Sequence, residues 1–199
     1  MTIVMGCLHI PYHDRAVLDR IKKLMVDITP DQLVLLGDTI DCNALGHFDR
    51  GMISSTGITL EEEYSDANVE LNDFDRILKR DALKVFVFGN HENRYFKWQK
   101  NPDNAKYGEL LSPIRGLELD KRHYKVLTDY INDKHVFGSY DLFHGDLANI
   151  YTAKKSLDTY RVNTLFAHSH RTQMYREGAF AAFNIGSLAN FESGAFNYM

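Results

Sequence analysis

The chain has 199 residues, 44% of them hydrophobic and 25% charged; that is the length of one domain and the composition of an ordinary globular protein, which excludes disordered and fibrous classes. With 23 basic against 27 acidic residues the formal charge is -4, so there is no overall basic field of the kind non-specific nucleic-acid binders use, although a local patch is allowed. Ile3-Val4-Met5 leads straight to His9 and Asp14 without a secretory pattern, no apolar run nears the roughly 20 residues of a membrane span, and Cys7 and Cys42 are too few for a disulfide framework, so a reducing, cytoplasmic, non-membrane setting is expected.

In chain order, Ile3 to Met5 reads as a strand. Val17, Leu18, Ile21, Leu24 and Met25 then recur at helical spacing, and Leu33 to Leu36 form a second apolar run, which together read as β-α-β. Asp14 stands where it can cap that helix, and Pro30 marks its exit. The polar, glycine-bearing stretch from Asn43 to Thr59 reads as a surface loop, and from Leu60 to Arg80 the positions Val69, Leu71, Phe74, Ile77 and Leu78 predict an amphipathic helix. Lys84 to Phe88 is an apolar strand ending at Gly89-Asn90-His91-Glu92, followed by a variable region to Lys121 that carries Tyr95, Phe96, Trp98 and Tyr107. From Tyr124 to Phe143, β-branched and aromatic residues surround the turn formers Asn132-Asp133 and Gly138-Ser139, which predicts an antiparallel portion. A helix near Asn149 to Tyr160, a buried strand from Thr164 to Ala167, and short strands near Gln173 to Tyr175 and Ala179 to Asn184 complete the pattern. These mixed signals predict one domain over residues 1–199, of the α/β (α+β) class, with two packed sheets flanked by helices.

Five strand ends terminate in groups able to bind metal: Cys7-x-His9, Gly37-Asp38-x-x-Asp41, Gly89-Asn90-His91-Glu92, His144-Gly145-Asp146 and His168-x-His170. Loops beyond the carboxyl ends of strands in open α/β sheets converge on one crevice, so these segments can meet in space. A carboxylate can bridge two divalent cations while neutral imidazoles and an amide oxygen complete their shells, and two such ions can clamp the entering and leaving oxygens of a phosphate.

Together the five segments resemble the successive motifs of the calcineurin-like metallophosphoesterase family, usually written DxH, GDxxD, GNHE, H and GHxH. Gly37-Asp38-Thr39-Ile40-Asp41 and Gly89-Asn90-His91-Glu92 match in full, and Asn184-Ile185-Gly186-Ser187 resembles a turn found after the last motif. The resemblance implies a four-layer αββα sandwich of two mixed β-sheets flanked by helices, two divalent metal ions drawn from manganese, zinc, iron or nickel, and hydrolysis of a phosphate ester by a metal-bound hydroxide attacking in line. It makes Asp38 the bridging ligand, gives His9, His170 and, if its thiolate binds, Cys7 to the first ion, and gives Asn90, His144 and His168 to the second. His91 becomes the acid that protonates the departing alkoxide, with Asp41 and Glu92 supporting the ligands. The preferred substrate is a nucleotide or nucleic-acid phosphodiester. Arg94 and Arg171, which adjoin motifs, are the candidates for holding its phosphate.

Two positions depart from the family pattern. Ala167 stands for the glycine before His168, a mild change if the backbone tolerates a Cβ, and Cys7 stands for the aspartate of the first motif. A thiolate at Cys7 would favour softer ions such as zinc over magnesium, whereas its neighbours Met5 and Leu8 suit a buried, inert cysteine, and both readings stand. The other residues also have plainer accounts: His9 as a packed histidine, Asp38 and Asp41 as turn residues, Asn90 as a left-handed turn, Cys42 as a buried bystander, and Arg94, Lys97 and Arg171 as solvated charges. Tyr12 and His13 are further candidates to line the pocket. The rival function is a non-catalytic metal-binding interaction scaffold that retains the phosphoesterase fold; Cys7 supports it, and the retained His91 and second-ion set oppose it.

Overall fold

The first apolar run becomes β1 (Thr2–Met5), which pairs in parallel with β2 (Gln32–Leu36); β2 pairs in parallel with β3 (Leu83–Val87), and β3 with β4 (Tyr124–Leu127). This computed structural model describes residues 1–46 and 57–193, so residues 47–56 of the expected loop from Asn43 to Thr59 lie outside the described residues. Parallel neighbours need crossovers. The first is α1 (Arg15–Ile28), where the Asp14 side chain accepts from the Val17 amide as its cap. The second includes α2 (Leu60–Ile77), opened by a capping box in which Thr59 and Glu62 satisfy each other's backbone amides. The third runs through α3 (Asn93–Gln99), α4 (Pro102–Ala105) and α5 (Pro113–Gly116).

The second sheet holds β5 (His135–Phe137), β6 (Tyr140–Leu142), β7 (Asn163–Phe166), β8 (Thr172–Glu177) and β9 (Phe180–Ile185), in the order β5-β6-β7-β9-β8, with α6 (Thr152–Tyr160) crossing from β6 to β7. Pairing is parallel at β6-β7 and β7-β9 and antiparallel at β5-β6 and β8-β9.

Every residue of β2 is buried because both faces of its sheet are covered. Leu33 and Leu35 face Leu18 and Met25 of α1 and Leu71 and Phe74 of α2, while the alternate residues Val34 and Leu36 pack with Leu142 and Ala167 between the sheets. Phe143, Phe166 and Ala182 then meet Ala153 and Leu157 of α6 on the far side. The layers are therefore helices, sheet, sheet, helix.

Three details differ from expectation. Only the second sheet is mixed; the first is parallel throughout. β4, expected in the antiparallel portion, extends the parallel sheet because the chain reaches it by the crossover through α3, α4 and α5, and antiparallel pairing begins only at the β5-β6 hairpin. Val69 is 56% exposed; the buried side of α2 is made by Leu60, Tyr64, Ala67, Leu71, Phe74 and, unexpectedly, Glu63. No helix among the described residues is long and apolar enough to cross a membrane.

Candidate metal centre

Every candidate ligand lies just past a strand: Cys7 and His9 after β1, Asp38 after β2, Asn90 after β3, His144 after β6, and His168 and His170 after β7. Five of them have left-handed backbones: Cys7 at φ 51°, His9 at 52°, Asp38 at 49°, His168 at 64° and His170 at 56°. Such conformations are costly for residues with a Cβ, and a concentration of them is typical of sites where geometry matters more than stability. Two glycines allow the loops to close. A Cβ on Gly37 would lie 2.6 Å from His144 Nδ1, and one on Gly89 would overlap the Asp38 carboxylate.

The Asp38 carboxylate is the hub. Its Oδ2 lies 3.2 Å from His144 Nε2 and 3.8 Å from His9 Nε2, while Oδ1 accepts from the His91 amide at 2.9 Å. On one side His9 Nε2 and His170 Nε2 stand 3.0 Å apart. On the other, His168 Nδ1 lies 3.2 Å from His144 Nε2 and 2.9 Å from Asn90 Oδ1. The donor atoms of Cys7, His9, Asp38 and His170 all fall within 4.8 Å of one another, as do those of Asp38, His144 and His168.

The chemistry of these donors fits two cations. His9 Nδ1 faces an Asp41 carboxylate oxygen at 2.9 Å and His144 Nδ1 faces the Leu36 carbonyl at 2.8 Å. Neither oxygen can donate, so the proton belongs on Nδ1 and a neutral ring directs the Nε2 lone pair inward. Burial, reinforced by neighbouring histidines, pushes His168 down to about 4 and His170 down to about 3, which leaves both neutral near pH 7, as metal ligation requires. His144 moves the other way: burial opposes its charge, but the Asp38 carboxylate overrides it and raises its pKa, and a bound cation would take that proton's place. Inward lone pairs around one carboxylate repel one another unless positive charge sits among them.

The supporting residues are buried and fully engaged. Asp41 holds His9 through Nδ1, contacts His91 Nδ1 at 3.0 Å, and stays well below the ordinary carboxylate range because the bonds and charge of those two histidines overcome its burial. Glu92 ties the loops after β2 and β3 together: Oε1 accepts from the Thr39 and Ile40 amides at 2.7 and 3.1 Å, and Oε2 from those of Asp38 and Gly89 at 3.0 and 2.7 Å. His91 is raised above the ordinary histidine value; burial works against its charge, but Asp38 and Asp41 prevail. Its Nε2 lies 3.4 Å from Arg94, whose Nη1 also donates to the Asp41 carbonyl at 2.9 Å.

Not every candidate joins this group. Arg171 is exposed, with no ion pair among the described residues, and Lys97 is exposed on α3. His13 turns toward Glu70, 3.5 Å away on α2. Cys42 packs on the helix side of the first sheet and Cys7 between the sheets, and both are free thiols. Cys7 has two roles at once: it belongs to the intersheet core, and its sulfur, which accepts from the His168 amide at 3.3 Å, also lies within the first donor group. Burial, then the charge of Asp38, raises its thiol pKa.

Sequence reasoning missed Glu63, though its place three residues after Leu60 and four before Ala67 puts it on the apolar stripe of α2. It accepts from the Asn43 amide at 2.9 Å and so anchors the loop that carries Asp41. Burial, aided by Asp41, pushes its pKa up to about 8 against an unfolded value near 4.5. Between those values the unfolded chain binds fewer protons than the folded one, so this group lowers stability progressively as pH rises from about 4.5 to about 8. Glu63→Gln, which keeps the acceptor oxygen without the charge, should therefore melt close to the parent near the acid end of that window and increasingly above it toward the alkaline end. Thermal melts across the range, at fixed metal, check this; a constant difference would place the charge elsewhere.

The family model for calcineurin-like phosphoesterase matches residues 2–186. Among solved structures the chain is similar to Pseudomonas putida nuclease MPE, at 16% identity with 96% of this chain and 74% of that one covered and a TM-score of 0.46. It is similar also to Yfce, a phosphoesterase from E. coli, at 16% identity with 97% and 82% covered and a TM-score of 0.46. No curated protein matches the sequence.

Proposed function

The chain belongs to the calcineurin-like phosphoesterase family and is a metal-dependent phosphoester hydrolase, and from that premise we propose that it cleaves a nucleotide or nucleic-acid phosphodiester at two ions sharing Asp38. The observation that carries the reading is the position of Asp38 Oδ2, between His144 Nε2 at 3.2 Å and His9 Nε2 at 3.8 Å. In this reading His9, Asp38 and His170, with Cys7 beside them, would hold one ion, and Asp38, Asn90, His144 and His168 would hold the other. Manganese, zinc, iron or nickel suits this mixture of imidazole, carboxylate and amide oxygen. Two such ions supply Lewis-acid neutralisation of the phosphate oxygens and a more acidic water.

The protein's own residues supply orientation and a proton. Asp41 fixes the tautomer and tilt of His9 through a 2.9 Å contact, an arrangement known to strengthen a ligating imidazole. The same carboxylate favours protonated His91, the form able to donate to a departing alkoxide. Arg94, whose guanidinium lies 3.4 Å from His91 Nε2, is the group we assign to a phosphate oxygen. Among the described residues it is the one arginine or lysine bonded to this cluster, and a single guanidinium suits the single charge of a phosphodiester better than a monoester dianion. The test is turnover by chelator-stripped protein after metal is restored, on matched diester and monoester substrates. Activity without metal, or a strong monoester preference, would overturn the reading.

Cys7 offers a second measurable outcome. If its thiolate binds the first ion, Cys7→Ala should lower zinc affinity by at least about tenfold, since loss of a supporting partner alone commonly costs 10- to 100-fold. Cys7→Asp should shift preference from zinc toward manganese or magnesium, because a carboxylate suits harder cations. Metal titrations of the parent and both variants decide it; identical curves for parent and Cys7→Ala would assign this thiol to the intersheet core alone.

A further inference from the structure

The metal centre is flanked by one aromatic ring at each end. Phe191 lies 5.9 Å from the ring of His170, beside the first donor group, and is 50% exposed. Tyr130 lies 6.2 Å from the ring of His144, beside the second donor group, and is half-buried. Exposed aromatic residues also occur far from the centre, at Phe137 and Phe180, so exposure alone means little. The difference is position, because each ring borders a histidine of a different one of the two donor groups that share Asp38.

Both rings stand on braced turns. The Asp129 carboxylate accepts from the Ile131 and Asn132 amides at 3.2 and 3.1 Å, fixing the turn that carries Tyr130. Asn190 donates its amide to the Tyr12 carbonyl at 2.7 Å and accepts through its side chain from the Glu192 amide at 2.9 Å, fixing Phe191 against the loop that holds His9. A ring carried on a braced turn leaves less backbone freedom to be lost when a ligand packs on it.

We propose that Tyr130 and Phe191 are base-stacking platforms, and that the substrate is therefore a single-stranded nucleic acid with one unpaired base on each side of the scissile phosphate. The proposal rests on the phosphodiesterase reading above. A phosphodiester at the centre has a nucleoside on each side, and one ring stands on each side to receive a base. Bases within a duplex are already stacked on their neighbours and cannot turn onto side-chain rings, whereas unpaired bases can. Charge points the same way: with a net charge of -4 the chain offers no general attraction to a polyanionic backbone, so contacts beyond the metal centre fall to the bases.

The test compares equilibrium binding of labelled single-stranded oligothymidylate, an abasic phosphodiester oligomer of the same length, and a duplex, by the full chain stripped of metal and again with Mn²⁺ added. Stacking typically gives about five-fold or more per base. The parent should prefer the single strand to the abasic oligomer by at least that factor, and to the duplex as well. Tyr130→Ala and Phe191→Ala should each bring the first ratio toward one, and Phe191→Trp should restore it. A parent ratio near one, a ratio unchanged in both alanine variants, or tighter duplex binding would overturn the proposal. Failure of the parent to hydrolyse any phosphodiester would contradict the catalytic reading, and the binding ratios would still decide the stacking sites by themselves.

Discussion

Asp38→Asn is expected to lower turnover by more than about 10²-fold and to strip most of the bound metal, while leaving the fold intact. The substitution is nearly isosteric, and asparagine tolerates the left-handed backbone that Asp38 adopts at φ 49°, so the loop need not move. What changes is charge. Oδ2 lies between the inward nitrogens of His144 and His9, where two cations would converge on a shared anion, and an amide offers only one neutral oxygen and turns two N–H donors toward the same space. Metal analysis beside circular dichroism and a diesterase assay separates loss of the site from loss of the fold. Full metal content with unchanged turnover would refute the bridging role.

His91→Ala should have a different signature: metal content close to the parent's, with hydrolysis slowed by about 10²- to 10⁴-fold for a poor leaving group such as an alkyl alcohol. The ring is raised toward its protonated form by Asp38 and Asp41, and proton donation matters most when the departing oxygen is strongly basic. With p-nitrophenolate, which leaves without help, the loss should shrink. His91 also packs edge-on against His9 with centroids 4.5 Å apart and contacts the Asp41 carbonyl at 2.8 Å, so some loss could come from displaced ligands. That part is independent of the leaving group, and equal losses on good and poor leaving groups would make His91 a positioning residue.

The candidate ligands are legible in the sequence because each closes a strand, and strand ends in a sheet of parallel strands converge whatever the packing details. Groups such as Asp38 with Asp41, and Asn90 with His91 and Glu92, are fixed by local spacing. Contacts set by how separate elements dock are not legible in this way. Arg171 follows His170 directly, yet with His170 at φ 56° the chain turns there and Arg171 is exposed, with no ion pair among the described residues. Glu63 reaches the loop after β2 only because α2 lies across that sheet. Tyr130 and Phe191 stand beside histidines far away in sequence, and no local pattern marks them. The pairing of β4 is not legible for a related reason: β-branched and aromatic residues favour strands of either direction, and the crossover path decides which neighbour they meet.

Whether two ions share Asp38 is measured most directly by a crystal structure of the metal-loaded protein with anomalous scattering recorded at the metal edge. Two peaks are expected, both within about 2.0–2.2 Å of Asp38 carboxylate oxygen, one also touching His9 and His170 and the other touching Asn90, His144 and His168. A single peak in fully active protein, or two peaks of which one makes no contact with Asp38, would contradict it.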